Sequence, residues 1–395
     1  MDDLRLGDVA EVVDCEHKTA PAAEVGREYG YSVGTRSLRG GRIHFDTCKR
    51  VSRQTFDEWS QRAVLRQGDV ILAREAPVGQ VGYVDGRRPV CLGQRTVLLR
   101  PGERVDARFL HFLLLAPAAQ SWMAGKSAGS TVAHLNVADI RRLPLDFVPN
   151  LDEQRRIAGV LGALDDLIAV NRALIEDLTE MKTATFQVVW EAMLAREHRV
   201  VPIGDLIEVQ GGSTPSTKVP QFWASGELYW ATPKDLSSLS SDPLRGTERR
   251  ITEAGLAKIS SGLLPAGTLL MSSRAPVGYL AIAEVPTAIN QGFIATRGNE
   301  ELPPVFLLEW LRANMDRVRG LANGSTFQEI SKRNFKTLKL AVPTAQELAR
   351  FMRIAEPCHR QIVALEDEID ELSRTRDALL PLLMSGRLRV GEVKV

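Results

Sequence analysis

The sequence lacks the residue patterns on which most metal sites and disulfide frameworks depend. Its four cysteines are far apart and include no Cys-x-x-Cys pair (Cys15, Cys48, Cys91 and Cys358). This spacing indicates neither a zinc site nor a disulfide framework, so we expect reduced, buried thiols. The six histidines form no His-Glu-x-x-His or His-x-His pattern. The sequence therefore predicts no metal site.

Motifs for nucleotide binding and methyl transfer are missing as well. Gly125-Lys126-Ser127 resembles the end of a phosphate-binding loop, but Gln120 occupies the position at which that motif requires its first glycine. The sequence also contains no Asn-Pro-Pro-Tyr run of the kind that holds a flipped adenine in a methyltransferase. We therefore expect a chain that is not an enzyme and binds no cofactor.

Long apolar runs are absent too. No stretch approaches the length that spans a bilayer. The segment Met1-Asp2-Asp3 is acidic, whereas a signal peptide begins with basic residues. We expect a cytoplasmic protein.

The longest regular pattern that is present lies in the middle of the chain. With 395 residues, 44% of them hydrophobic, the chain is long enough for two or three domains. Between residues 152 and 196, side chains recur at alternating steps of four and three: Ile157, Leu161, Leu164, Ile168, Asn171, Ile175 and Leu178. The pattern predicts a helix of roughly 45 residues, ~66 Å long, with a seam that faces a partner helix.

A matching series near the end of the chain supplies that partner. It comprises Ile362, Leu365, Ile369, Leu372, Leu379 and Leu383, with Arg376 interrupting it once. We interpret the two series as an antiparallel coiled coil that acts as a spacer. The alternative is an ordinary helix pair buried inside one globular domain. The length of the helices and their polar outer faces favour the coiled coil.

The chain also repeats itself at a period of about 197 residues. Leu-Gly-Asp at residues 6–8 returns as Ile-Gly-Asp at residues 203–205, and Arg-Glu-Ala-Pro-Val-Gly at 74–79 as Arg-Ala-Pro-Val-Gly at 274–278. Each repeat comprises one globular domain and one long helix. We expect domains at 1–150 and 198–343, helices at 151–197 and 344–389, and a tail at 390–395.

Short apolar runs separated by glycine and proline predict strands at 70–72, 81–84, 97–99, 268–271 and 280–282. Helical spacing at 106–122 and 304–318 predicts one helix in each domain. The fold class is therefore α+β, with two mixed α/β domains in a pseudo-two-fold arrangement, separated by the long antiparallel two-helix coiled coil. Such a molecule would resemble a dumbbell.

The net charge of +1 gives little support for a nucleic-acid partner, but its distribution is uneven. Residues 1–151 carry 21 basic and 18 acidic side chains, and residues 198–343 carry 16 and 13, an excess of +3 in each case. Residues 152–197 carry 5 basic and 9 acidic side chains. This permits DNA binding by the globular parts, although an excess of three is usually only solvated surface.

Six short motifs are the most specific features of the sequence: Gly-Gly-Ser-Thr-Pro-Ser (211–216), Trp-Ala-Thr-Pro-Lys-Asp (230–235), Ser-Arg-Ala-Pro-Val-Gly (273–278), Asn-Gln-Gly-Phe (290–293), Gly-Ser-Thr (324–326) and Leu-Pro-Leu-Leu-Met-Ser-Gly (380–386). Through these motifs, and over essentially its full length, the chain resembles the specificity subunit of type I restriction-modification enzymes. One departure is the Glu153-Gln154 pair at the start of the first long helix, which is reversed as Gln346-Glu347 at the second.

The resemblance implies a non-catalytic, sequence-specific DNA-binding subunit. In that family, each target-recognition domain recognises one part of a bipartite sequence, and the spacer helices bind DNA adenine methyltransferase subunits. The implied partners are double-stranded DNA, those modification subunits and restriction/translocase subunits. Two alternatives stay open: a recognition subunit of a methylation-only system, and a coiled-coil adaptor that binds proteins.

Candidate DNA-binding residues occur in both halves. Arg74 and Arg274 could contact phosphate or form structural ion pairs, and Gln94 and Gln291 could face adenine. The others lie on predicted loops and could hold phosphate: Lys126, Ser130, Thr131, Thr214, Lys218, Lys234, Ser325, Thr326, Lys332 and Arg333. The serine and threonine pairs equally resemble helix N-caps.

A second apolar stripe on the long helices is expected to bind partner helices. On the central helix it comprises Val160, Leu167, Leu174 and Met181, and on the last helix Phe351, Leu365 and Leu372.

Overall fold

The computed structural model describes residues 4–127, 133–274, 276–323 and 328–392. The chain forms two compact units: unit 1 comprises residues 1–169 and 370–395, and unit 2 comprises residues 170–369. Within the described ranges, no helix combines the length and apolar composition needed to cross a membrane.

The first part of the chain, through the long central helix, contains six helices and nine strands among its described residues. They are α1 (Leu6–Val9), β1 (Ala10–Asp14), β2 (Gly30–Val33), β3 (Leu38–Arg39), β4 (Arg42–Ile43), β5 (Lys49–Val51), α2 (Arg53–Trp59), β6 (Val70–Ala73), β7 (Val81–Tyr83), β8 (Val90–Leu92), β9 (Thr96–Pro101), α3 (Ala107–Leu115), α4 (Pro117–Ser127), α5 (Val137–Arg141) and α6 (Leu151–Leu194).

The helices and strands after α6 follow a similar order. They are β10 (Val200–Pro202), β11 (Glu208–Gln210), β12 (Leu228–Ala231), α7 (Pro233–Ser237), β13 (Pro243–Leu244), β14 (Arg250–Ile251), α8 (Glu253–Leu256), β15 (Thr268–Ser272), β16 (Leu280–Ala283), β17 (Thr287–Ile289), β18 (Phe293–Arg297), α9 (Pro304–Ala313), α10 (Met315–Gly320), α11 (Lys332–Lys336), β19 (Lys339–Ala341) and α12 (Ala345–Met384).

The described residues of unit 1 form three sheets, the smallest of which pairs β3 with β4. A four-stranded antiparallel sheet has the order β1-β9-β6-β7, and its central strands are buried because apolar side chains occupy every position of β6. Helix α3 packs Phe109 and Phe112 into the core that this sheet forms. The second sheet has the order β5-β2-β8, in which β2 is antiparallel to β5 and parallel to β8.

Unit 2 has the same plan. Its larger sheet has the order β11-β18-β15-β16-β13, and its smaller sheet the order β14-β12-β17 with the same combination of antiparallel and parallel pairing. Helix α9 packs Phe306 and Leu308 into the core formed with Leu269 and Ile294. The sequence repeat is therefore a repeat of strand order.

The prediction of a single helix over 106–122 and another over 304–318 is wrong, because two helices occupy each of these segments. Pro117 lacks a backbone N–H, and the residue before it, Ala116, is extended at φ −64° and ψ 146°, which ends α3. In unit 2, Asn314 at φ −110° and ψ 17° separates α9 from α10. The five predicted strands are all confirmed, as β6, β7, β9, β15 and β16.

The two long helices run antiparallel inside each unit. In unit 1, Asp165 of α6 pairs with Arg376 of α12 at 2.8 Å, which explains why a charged residue interrupts the apolar series there. In unit 2, the rings of Phe186 on α6 and Phe351 on α12 meet edge to face at 5.7 Å. The predicted seam of α6 is buried at Ile157, Leu161, Ile168, Asn171 and Ile175.

Candidate nucleic-acid interface

Arg74, at the end of the buried strand β6, is almost enclosed. It is 6% exposed, and its guanidinium lies 3.6 Å from the carboxylate of Asp14. Its backbone N–H donates to the carbonyl of Arg95, and its carbonyl accepts from Leu135. Of the two readings of Arg74, these contacts favour the structural ion pair over a phosphate contact. Arg274 is half-buried, and its backbone forms a bridge with Glu329.

The glutamine candidates are each held by a threonine. In unit 1 the Thr19 hydroxyl donates to the side-chain carbonyl of Gln94 at 2.9 Å. In unit 2 the Thr214 hydroxyl donates to the side-chain carbonyl of Gln291. The side-chain NH₂ of Gln94 in turn donates to the backbone carbonyl of His17 at 3.4 Å, so both ends of that amide have partners. The structure thus brings Thr214 and Gln291 together and adds Thr19, which the sequence patterns did not single out.

The loop that carries Thr214 approaches strand β17 unusually closely. A side chain at Gly212 would place its Cβ 1.9 Å from the backbone carbonyl oxygen of Ile289. Only glycine fits there, which explains the second residue of the Gly-Gly-Ser-Thr-Pro-Ser motif. This contact sets the distance between Thr214 and the chain that follows β17, where Gln291 lies.

The basic candidates have different surroundings. Lys126 is exposed at the end of α4, with its ammonium 5.7 Å from the centre of the Trp122 ring. Lys234 pairs with Glu248 at 2.7 Å, and this hydrogen bond raises the pKa of the lysine. Lys218, Lys332 and Arg333 are exposed, the last two at the start of α11. Ser130, Thr131, Ser325 and Thr326 lie outside the described residues.

A tyrosine–arginine pair that the sequence patterns missed occurs in both units. In each, the arginine lies on an outer strand of the smaller sheet. In unit 1, Tyr31 of β2 is paired in register with Arg50 of β5. In unit 2, Tyr229 of β12 is paired in the same way with Arg250 of β14. The guanidinium carbons lie 5.5 Å and 4.7 Å from the respective ring centres. The signal that could have found them is Lys-Arg-Val-Ser at 49–52 and Arg-Arg-Ile-Thr at 249–252.

These two strands are placed by the same local structure. Ser52 follows β5 and accepts a hydrogen bond from the Thr55 backbone N–H, so it caps α2. Thr252 follows β14 and accepts from the Gly255 backbone N–H, so it caps α8. In each unit, the outer strand that carries the basic residues is therefore followed directly by the N-cap residue of a helix.

The central helix is fixed to unit 2 by a buried charge cluster. Lys182 of α6 is fully buried and pairs with Asp242, and its ammonium lies 3.5 Å from Glu309 of α9. Arg312 completes the cluster by pairing with both carboxylates. Burial alone would raise the pKa of Asp242, but Lys182 and Arg312 hold it below its ordinary value. In unit 1, Arg108 of α3 forms a bidentate salt bridge with the carboxylate of Asp166 on α6.

The expected partner-binding stripe is only partly available. Leu167, Leu174 and Met181 are 47%, 39% and 52% exposed, and Val160 is half-buried. Leu372 on α12 is half-buried as well. The assignment of Phe351 and Leu365 to this stripe is wrong, because both are buried against this chain's own residues, at 0% and 4% exposure.

One serine-hydrolase pattern does occur, as Gly-Tyr-Ser-Val-Gly at residues 30–34. That motif requires its serine on a sharp turn between a strand and a helix. Ser32 instead lies inside β2, is 6% exposed and approaches the thiol of Cys91. The pattern is therefore part of the smaller sheet, and its geometry does not expose a nucleophile.

The thiols match the expectation of free cysteines. All four are free, and three are buried; Cys48 is half-buried. Burial raises the pKa of Cys91 to about 12, which keeps it protonated and unreactive at neutral pH. In the described part of the chain, no group of three or more His, Cys, Asp or Glu side chains is placed to hold a metal ion.

Comparison with known proteins assigns the family. The model of the "Type I restriction modification DNA specificity domain" matches residues 1–180 and again residues 196–373. The type I restriction enzyme MjaIX specificity subunit of Methanocaldococcus jannaschii is 35% identical over 156 residues, which are 39% of this chain and 36% of that protein. The putative MjaX specificity subunit of the same organism is 20% identical over 348 residues, which are 82% of this chain and 79% of that protein.

A solved structure has the same fold. The crystal structure of the type I restriction-modification system S subunit from M. genitalium has a TM-score of 0.61 at 16% identity, and the match covers 96% of this chain and 95% of that one. The predicted fold class, with two mixed α/β domains and a long central helix, is confirmed. Because this family is one of DNA specificity, the non-catalytic role expected from the sequence is confirmed with it. The chain belongs to the type I restriction-modification DNA specificity family.

Proposed function

We propose that this chain recognises a bipartite DNA target, one part with each globular region, and positions DNA adenine methyltransferase subunits on it. The recognition domains are residues 1–150 and 198–343, and the spacer helices are residues 151–197 and 344–389. Restriction/translocase subunits join the complex through the modification subunits. The methyl donor and ATP bind those partners rather than this chain.

The observation that carries the proposal is the duplicated local structure. Both units have a smaller sheet with the same strand order and pairing, a threonine–glutamine hydrogen bond and a tyrosine paired in register with an arginine. The segments that join the paired strands, residues 34–48 in unit 1 and 232–249 in unit 2, differ in length and composition. Two scaffolds with one plan and different loops suit two readers of different short sequences.

The exposed apolar side chains of α6 support the second half of the proposal. Leu167, Leu174 and Met181 follow one another at steps of seven, so they lie along one face of the helix. A stripe of this kind suits an apolar helix face on a partner subunit.

The test is to co-express the chain with the methyltransferase subunits of its own system in a host without adenine methylation, and then to map methylated adenines. We expect methylation at one motif made of two fixed parts separated by unspecified bases. Methylation at a continuous motif would contradict the bipartite reading. Methylation that does not require this chain would contradict its role as the recognition subunit.

A control addresses the adaptor alternative. The full chain is titrated with a random-sequence duplex at low and moderate salt, with and without the methyltransferase subunits. A recognition subunit binds the duplex with an affinity that falls as salt rises, whereas an adaptor that binds only proteins leaves the duplex free. A cleavage assay distinguishes a restriction-modification complex from a methylation-only system. Only the former cleaves unmodified DNA when restriction subunits are added to the complex.

A further inference from the structure

We propose that Arg50 and Arg250 contact the DNA phosphate backbone, one in each unit, at equivalent places on the two smaller sheets. This rests on the proposed function and adds to it the residues that would bind any duplex irrespective of sequence. None of the candidates selected from the sequence includes either arginine.

The two sites are equivalent in strand register. Tyr31 of β2 faces Arg50 of β5 on one side and Val90 of β8 on the other. Tyr229 of β12 faces Arg250 of β14 on one side and Thr287 of β17 on the other. In each unit the arginine lies on the outermost strand of its sheet. Both arginines are exposed, whereas the tyrosines are half-buried.

The contact with the aromatic ring prepares the guanidinium for an anion. A guanidinium that lies against a ring has its face covered and its side chain ordered, while its N–H groups at the edge stay able to donate. In unit 2 the neighbouring Arg249 is held in the same way, with its guanidinium carbon 3.9 Å from the centre of the Trp223 ring. One N–H group of Arg250 donates to the Tyr229 hydroxyl at 3.5 Å, and the remaining N–H groups of the ordered guanidinium suit the geometry of a phosphate oxygen pair.

The charges of these two arginines are not neutralised within the described residues. Arg53, which lies over the Tyr29 ring, forms a salt bridge with Asp57 at 3.0 Å, and Lys234 forms one with Glu248 at 2.7 Å. Arg50 and Arg250 have no carboxylate within salt-bridge distance in the part of the chain that the structure describes. A cation of this kind can release a condensed counterion from DNA, whereas a cation already paired with a carboxylate gains little.

The equivalent positions of Arg50 and Arg250 in the two units favour a contact with phosphate over a contact with a base. Two domains that recognise different short sequences need different side chains at the base edges, yet they share the phosphate backbone. The same arginine at the same register position in both units therefore points to the feature that every DNA segment has in common.

The experiment measures the salt dependence of DNA binding by the full chain with its methyltransferase subunits. Fluorescence anisotropy with a random-sequence duplex, from 50 to 200 mM salt, compares the wild type with Arg50→Met, Arg250→Met and the double variant. Methionine keeps an apolar stem against the ring and removes the charge. The matched controls are Arg53→Met, in which the lost charge lies over a ring but is paired with Asp57, and Arg199→Met in unit 2, in which the lost charge is paired with Glu301 at 2.7 Å.

Each single variant should flatten the slope of log affinity against log salt by about 0.9, and the double variant by about 1.8. Over this fourfold range of salt, the wild type should lose about 3.5-fold more affinity than either single variant. The control variants should keep the wild-type slope. The lysine variants Arg50→Lys and Arg250→Lys should also keep it, because they retain the charge.

The outcomes distinguish the inference from the proposed function. If the wild type binds duplex DNA but both methionine variants keep its slope, the inference is wrong while the recognition role stands. If the lysine and methionine variants lower the unfolding temperature alike and leave the slope unchanged, the arginines only stabilise the sheet, which also overturns the inference. If the wild-type complex does not bind duplex DNA, the recognition role itself fails.

Discussion

Lys182, on the central helix, is fully buried and pairs with Asp242 inside unit 2. The lysine has 0% side-chain exposure, and Glu309 and Arg312 complete a cluster of two positive and two negative charges. Charges without water are stable only when each has a partner, so this cluster requires α6 to take one position relative to α9. It therefore fixes the part of α6 that belongs to unit 2 against α9.

Removal of one member of this cluster should destabilise unit 2 strongly. Lys182→Met leaves Asp242 and Glu309 with only Arg312 between them, and losing one partner of a buried ion pair costs about 3–5 kcal/mol. Chemical denaturation of the full chain measures the change. Lys234→Met, which breaks an exposed pair in the same unit, is the control and should leave the stability almost unchanged. Equal effects of the two variants would contradict this account of the cluster.

The contact between His198 and Glu347 should make unit 2 sensitive to pH. The hydrogen bond to Glu347, at 3.0 Å, raises the pKa of His198 above its ordinary value of 6.5. Partial burial opposes the shift of Glu347, but hydrogen bonds from His198 and Thr344 lower its pKa from 4.5 to about 2. Between pH 4.5 and pH 6.5, the ordinary pKa values of the two side chains, His198 and Glu347 are therefore both charged and form an ion pair.

The sign of the effect follows from these directions. The stabilisation from His198 is fully present below pH 6.5 and is lost as the pH rises through its higher folded value. That from Glu347 is present above pH 4.5 and is lost as the pH falls toward 2. The unfolding temperature of the wild type, relative to Glu347→Gln, should thus be highest between pH 4.5 and 6.5 and decline toward pH 8. A constant difference across this range would exclude the ion pair as its cause.

The threonine–glutamine pairs should matter for recognition in one unit at a time. Thr19→Val keeps the shape of the side chain but removes the hydroxyl that holds the Gln94 carbonyl. We expect the Thr19→Val complex to tolerate base changes in the half-site of unit 1 while its unfolding is unchanged, because Thr19 is exposed. Thr214→Val should relax the base requirement of the other half-site through Gln291. Adenine methylation of targets with single-base changes measures both, and a relaxed requirement in both half-sites from one variant would contradict independent readers.

Exposed apolar residues on α6 should affect assembly rather than folding. Leu174→Glu places a charge on a residue that is 39% exposed, so the chain should fold as before and bind methyltransferase subunits more weakly. Co-purification of the subunits and the unfolding temperature are the two measurements. Leu161→Glu, at a fully buried position of the same helix, is the control and should prevent folding. Unchanged co-purification would show that the stripe is not the contact surface.

Exchange of one recognition domain should change one half of the target. Replacing residues 1–149 with the matching segment of a relative retains Asn150, whose side chain accepts a hydrogen bond from the Glu153 backbone N–H at the start of α6. We expect a new first half-site and an unchanged second one in the methylation map. A change in both would show that the domains recognise DNA jointly.

The pattern of apolar residues by itself determined the long helices, the five strands expected from short apolar runs and the duplication of the chain. These features depend on periodicity and on residues nearby in sequence, as with the heptad of α6 and the buried run of β6. The split of α3 from α4 was also readable in principle, because Pro117 cannot continue a helix. The family motifs, finally, carried the expectation of a DNA specificity protein.

Only the tertiary structure decided which side chains meet. It buried Phe351 and Leu365, which periodicity alone could not distinguish from exposed positions of the same helix. It brought Thr19 to Gln94 across 75 positions of sequence, and Lys182 to Asp242 across 60. It also placed Arg50 and Arg250 at one register position in two sheets. Such contacts depend on strand order and packing between distant segments, about which the local residue pattern carries no information.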